Sequence, residues 1–145
     1  MLNILGISCF YHDSAAAIVQ NGEIIAAAQE ERFTRIKHDS SFPRNAINYC
    51  LEESYLEPHE IDAVIFYDNP IYSLDRILKT FASQDKKNEE FWCKSIPKFL
   101  TNNFSLKDLI YDMLKIELPI MVTRHHLSHA ASAFFPSPFE KAAIL

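Results

Sequence analysis

Asn21-Gly22 sits between two short apolar runs, Ala15–Val19 and Ile24–Ala28, and few dipeptides constrain a fold more tightly. Both residues accept the positive φ of a type I′ turn, whose twist matches that of paired strands. A hairpin is therefore expected, with Ile24–Gln29 as its return strand. Asn3–Phe10 is a further β-type run, separated from Ala15 by the polar break Tyr11-His12-Asp13-Ser14. The chain opens as a three-stranded meander.

The next segments narrow the fold class. Ala46, Ile47, Cys50, Leu51 and Ser54 recur at spacings of three and four, so a helix is expected from Pro43, capped by Ser41 and stopped at Leu56-Glu57-Pro58. Ile61–Tyr67 is rich in β-branched and aromatic residues and reads as a fourth strand. Three strands, a helix and a strand are the order of a ribonuclease-H-like α/β fold. A mixed sheet is expected, with Asn3–Phe10 central, antiparallel to the second strand and parallel to Ala63–Tyr67.

Residues 70 to 118 read as a helical insertion. Ile71–Ala82 is amphipathic, Ser83–Glu90 is a charged connector, and Phe91-Trp92 and Phe99-Leu100 mark aromatic helical pieces. Leu106–Lys115 comes after a cap at Ser105. Aromatic rings of this kind are expected in the core. Pro119–Thr123 is a fifth strand, and His125–Phe134 is a helix stopped by Pro136 and Pro138. Lys141–Leu145 reads as the start of a sixth strand. The division expected is a subdomain over residues 1–140, with 141–145 as the first strand of a second, truncated one.

Composition removes several function classes. Fourteen Lys and Arg against nineteen Asp and Glu leave a net charge of −5, which argues against a nucleic-acid partner. The chain has 2 glycines, where average usage of about 7% predicts about ten. Neither GxGxxG nor GxxxxGK[ST] is present, so the ordinary nucleotide loops are excluded within these residues. No apolar run approaches the length of a membrane span, and no membrane partner is expected. The opening MLNILGISCF has no basic segment ahead of its apolar one, and Cys9, Cys50 and Cys93 are scattered. Together these predict a cytoplasmic protein with reduced thiols.

Three segments can carry chemistry. In Arg124-His125-His126-Leu127-Ser128-His129, residues 125 and 129 lie one helical turn apart and can share a metal, given a further ligand such as a carboxylate. Spacing alone leaves open that these histidines only cap or hydrogen-bond. The segment lacks the Glu of HExxH, so a zinc-peptidase reading is poor. Tyr11-His12-Asp13-Ser14 lies at the tip of the first strand pair, where a plain Asx-type turn competes with a phosphate-side role. Glu30 to Asp39 mixes paired carboxylates, cations and a histidine, in a stretch that also reads as a solvated loop.

GISCFYHDSAAAIVQNGEIIAAAQEERFTRIKHDSSFP, with HHLSHAASAFFPSPFEKAAIL far downstream, resembles the N-terminal domain of the O-carbamoyltransferases that act in nodulation-factor, cephamycin and aminoglycoside chemistry. The resemblance spans Gly6 to Leu145 and is weakest in the helical insertion. It implies a fold of the actin/hexokinase/Hsp70 ATPase superfamily. It also implies transfer of a carbamoyl group to an acceptor hydroxyl from carbamoyl-adenylate, made from carbamoyl phosphate and ATP with Mg²⁺. His125 and His129 match a pair that binds a metal, Fe²⁺ or another divalent ion. His12 matches a histidine of the transfer centre. Lys37, His38 and Asp39 match a segment near the acceptor pocket, whose occupant is a small molecule or sugar. The family's third metal ligand, an aspartate in a VVDG-type sequence, and its C-terminal domain lie beyond Leu145, so the remainder of such a protein is an expected partner.

Two other readings stand beside this one. The tRNA threonylcarbamoyl transferases also carry an HxxxH pair, but with Met-Glu-Gly between the histidines where this chain has His126-Leu127-Ser128. A truncated, non-catalytic binding module of the same fold is the other. Residues 1–145 alone are expected to be inactive.

Overall fold

The computed structural model describes residues 1–83 and 89–144. Its centre is a five-stranded mixed sheet in the order β3-β2-β1-β4-β5, built from β1 (Asn3–Ser8), β2 (Ala15–Gln20), β3 (Glu23–Gln29), β4 (Ala63–Phe66) and β5 (Ile120–Val122). β1 runs antiparallel to β2 and parallel to β4, and β4 is parallel to β5. The expected ribonuclease-H-like sheet, with the first strand central, is what forms.

The first turn is made as its dipeptide requires. Asn21 and Gly22 have φ of 50° and 93°. Asn21 Oδ1 also accepts the Leu2 N–H at 2.8 Å, which pins the start of the chain beside the turn. One irregularity is not legible in the sequence: the β2–β3 register shifts between Ile18 and Val19. Ile18 faces Ala26 while Val19 faces Ile24, so Ile25 is extra. The bulge leaves Ile24 and Ile25 exposed on the edge strand and turns Ala26 inward.

Alternate residues of β1 point to the core, so Leu5 and Ile7 are buried, together with Ile18, Val64 and Phe66. Helix α2 (Arg44–Ser54) covers β2 and β3 with Ala46, Ile47, Cys50 and Leu51. Its N-terminus departs from expectation. Neither Ser41 nor Pro43 caps it by a side chain. The buried carboxylate of Glu30 does so from a distance, accepting the N–H of Asn45 at 3.2 Å and of Ala46 at 2.8 Å. Ser41 is diverted because its Oγ donates to Asp39 at 2.7 Å.

Between β4 and β5 the chain makes three helices, α3 (Pro70–Ser83), α4 (Glu89–Phe104) and α5 (Leu106–Leu114). Most of the connector expected over Ser83–Glu90 lies outside the described residues. The aromatic pieces form one helix that runs through Pro97. Phe99 is half-buried and stands outside the main core, against the expectation for these rings. α5 is different: Leu106, Ile110 and Leu114 belong to that core, so the last part of this stretch is integral to the fold. Ser105 gives α5 no side-chain cap, because its Oγ donates back to the Thr101 carbonyl. A last helix, α6 (His125–Phe134), comes directly after β5. Residues 141–144 are irregular, so no strand forms there, and Leu145 lies outside the described residues. No helix among the described residues is long and apolar enough to cross a membrane.

Candidate active site

In a parallel α/β sheet the carboxyl ends of the strands open onto a crevice, and here the chemistry-bearing segments gather at that end. β1 delivers Tyr11-His12-Asp13, β4 delivers Tyr67-Asp68, and β5 delivers the start of α6. A cavity of about 320 Å³ is lined by His12, His125 and His129 together, with Tyr67, Ser128 and Ser132 among its walls. A second, of about 360 Å³, shares Tyr11, Tyr67 and His125 and extends toward Arg76, Phe99 and Asn103 of the helices after β4. Residues more than a hundred positions apart thus meet in one cleft.

His125 and His129 lie one turn apart on α6 with their rings edge-on, and their Nε2 atoms are 3.2 Å apart. Two nitrogens bound at about 2.1 Å to one ion lie about 3.0 Å apart at a right angle and about 3.4 Å at the tetrahedral angle, so the pair suits a shared cation. Burial holds the His125 imidazolium below its usual range, although Asp68 opposes this. The neutral ring that results is the form that ligates. Tyr67 meets His125 edge-on at 5.4 Å between ring centroids. Burial, and then the Asp68 charge, push its hydroxyl up to about 12. Among the described residues no third His, Cys, Asp or Glu joins the pair in a ligand cluster. The two histidines fit as half of a metal site.

In the same cavity Asp13 holds two histidines. Its Oδ2 is 2.7 Å from His12 Nδ1, and its Oδ1 is 2.9 Å from His38 Nδ1. Hydrogen bonds from His38 and then His12 hold the Asp13 carboxyl below the usual carboxylate range. The loop that brings His38 there contains the short helix α1 (Glu31–Thr34), and Glu31 accepts the His38 backbone N–H at 3.0 Å. Asp13, Glu31 and His38 offer donor atoms within 4.8 Å of one another, but the two imidazoles already occupy the Asp13 oxygens.

The residues that the sequence marks therefore divide. His12, His125 and His129 share one cavity, and His38 reaches His12 through Asp13. Lys37 is exposed and makes no ion pair among the described residues. Asp39 is buried, with Oδ1 taken by the N–H and hydroxyl of Ser41 and Oδ2 by the Thr34 hydroxyl. Its carboxylate bonds only within its own loop, while its backbone carbonyl accepts the Ser14 N–H at 2.7 Å. Sequence reasoning marks the segment of Asp13 but not its link to His38, and it misses Tyr67 at this cavity. Asp13 carries a signal in its place beside His12, whereas nothing local marks Tyr67.

A profile of the family described as Carbamoyltransferase N-terminus matches residues 3–145. The chain belongs to this family. The protein sll1178 of Synechocystis sp. is 44% identical over the whole of this chain, and the match covers 25% of sll1178. The nodulation protein NolNO of Sinorhizobium fredii is 37% identical over 94% of the chain and is matched over 19% of its own length. The chain thus spans a quarter or less of these curated relatives. Among solved structures, YeaZ from Pseudomonas aeruginosa superposes over 86% of this chain and 44% of its own, with a TM-score of 0.47 and 9% identity.

Proposed function

We propose that this chain is the N-terminal part of a carbamoyltransferase that moves a carbamoyl group from carbamoyl-adenylate to an acceptor hydroxyl. The adenylate is made from carbamoyl phosphate and ATP with Mg²⁺, and the acceptor is a small molecule or sugar. The observation that carries this reading is one cleft, in a chain of this family, lined by His12 and by the His125/His129 pair.

Each wall has a task. His125 and His129 would hold a divalent cation, Fe²⁺ foremost, which would supply positive charge for the adenylate phosphate and ease the departure of AMP. Arg124 gives α6 no side-chain cap, so the first-turn N–H groups of that helix are available to the same phosphate. His12 lines the same cavity with Nδ1 engaged by Asp13, which leaves Nε2 for the acceptor. As the acceptor oxygen bonds to the carbamoyl carbon, the carbon–oxygen bond to phosphate breaks and AMP leaves with its electron pair. The hydroxyl proton passes to His12 Nε2. Tyr11 and Tyr67 line the cavity.

The test joins this chain to the remainder of a longer member of the family. Pyrophosphate release from ATP and label transfer from carbamoyl phosphate are measured side by side. His12→Asn is expected to lower transfer by about 10²–10⁴-fold, the usual worth of a general base, while pyrophosphate release persists. Loss of both activities, or of neither, overturns the role of His12.

A further inference from the structure

The carboxylate of Asp13 lies between two imidazoles, 2.7 Å from Nδ1 of His12 and 2.9 Å from Nδ1 of His38. An ionised carboxylate only accepts hydrogen bonds, so each ring must present Nδ1–H to it. A neutral imidazole in water prefers the other tautomer, with the proton on Nε2. We propose that Asp13 is a positioning residue that joins His12 and His38 into one unit and imposes the Nδ1–H tautomer on both, leaving His12 Nε2 as the free base in the cleft. The mechanistic half of this statement rests on the reading of His12 as the transfer base; the tautomers do not.

The backbone is committed to this contact. Asp13 and His38 both have positive φ, 49° and 57°, a region that few residues other than glycine adopt. Neither histidine is fixed by burial, since their side chains are 58% and 61% exposed. What orders His12 is Asp13 on one side and the Tyr11 ring at 4.6 Å on the other. What orders His38 is Asp13 at the ring and Glu31 at the backbone, with Arg32 paired to Glu31 at 3.3 Å. His125 and His129 line the same cavity as His12. His38 thus braces the carboxylate through Nδ1. An acid that holds a catalytic imidazole in one tautomer and stabilises the imidazolium formed later is a recurrent device in acyl transfer.

Ring ¹⁵N correlation spectra of the uniformly labelled protein, recorded where its histidines are neutral, read the tautomers directly. His12 and His38 are expected as Nδ1–H in the parent protein. In Asp13→Ala both are expected to revert to Nε2–H, with the amide spectrum reporting that the fold is kept. Should Asp13→Ala not fold, Asp13→Asn serves, because one amide oxygen satisfies one ring and the other reverts. His38→Gln should leave His12 as Nδ1–H. An Nε2–H tautomer for His12 in the parent protein, or tautomers unchanged without the carboxylate, overturns the proposal. In the joined protein of the transfer assay, Asp13→Ala should lower kcat by about 10²-fold or more with little change in KM. If the tautomers behave as described but no carbamoyl is transferred, the proposed reaction fails and the positioning role stands.

Discussion

Asp39 illustrates how a charged residue in a charged stretch can belong to the structure. Its carboxylate accepts hydrogen bonds from Ser41, through both hydroxyl and N–H, and from Thr34, and these hold its pKa below the ordinary value. A depressed carboxylate stabilises the fold fully above its unfolded pKa of about 3.9, and the contribution fades as pH falls through the lower folded value. Asp39→Asn is therefore expected to cost about 1.5–3 kcal/mol at pH 7, the range for hydrogen bonds to a charged group. At pH 2 the gap to the parent protein should narrow. Urea unfolding at the two pH values checks this, and an equal loss at both would show that charge is irrelevant there. In the sequence Asp39 stands beside Lys37 and His38 as one contact segment. The left-handed backbone at His38 separates them, sending one side chain out and the next in.

At the level of elements, α2 depends on a carboxylate that arrives from well upstream of its first residue, Arg44. Glu30 is 2% exposed, accepts from the Asn45 side chain at 2.7 Å, and takes up two N–H groups at the helix start. Removing it leaves buried donors without an acceptor. Glu30→Ala should destabilise the protein by about 2 kcal/mol or more, combining a lost cap with unsatisfied N–H groups, as thermal or urea unfolding would record. A loss no larger than that of an exposed surface substitution would mean that water replaces the cap. The helix itself is evident from its spacing, because residues at three and four apart share a face. Its cap is not, because caps are sought within a few residues and this one arrives from the end of β3. The hairpin is legible for the opposite reason: a two-residue turn is a purely local matter.

For the whole molecule, the metal question is one of completeness. His125 and His129 present two nitrogens at a suitable separation, and the described residues add no third ligand to them. Titration of Fe²⁺ or Zn²⁺ into this chain by calorimetry should therefore give weak binding without a tight equivalence point. A tight stoichiometric site that disappears in His125→Ala would show that another group completes it. Carbamoyl transfer by this chain alone is expected to be undetectable, since misplacing one reactant by about 1 Å can cost on the order of 10²-fold and the chain spans a quarter or less of the curated relatives it matches.

Local rules were enough to determine the meander, the helix over residues 44–54, the fourth strand and the HxxxH face of α6. Each depends on turn chemistry or on a side-chain period of two or 3.6, which short windows of sequence carry in full. The β2–β3 bulge, the burial of Asp39, the Glu30 cap and the membership of α5 in the core were decided by packing between segments far apart in the chain. So was the cleft. His12 and the His125/His129 pair line one cavity only because β1, β4 and β5 run parallel and end at the same edge of the sheet, and no short window of residues carries that arrangement.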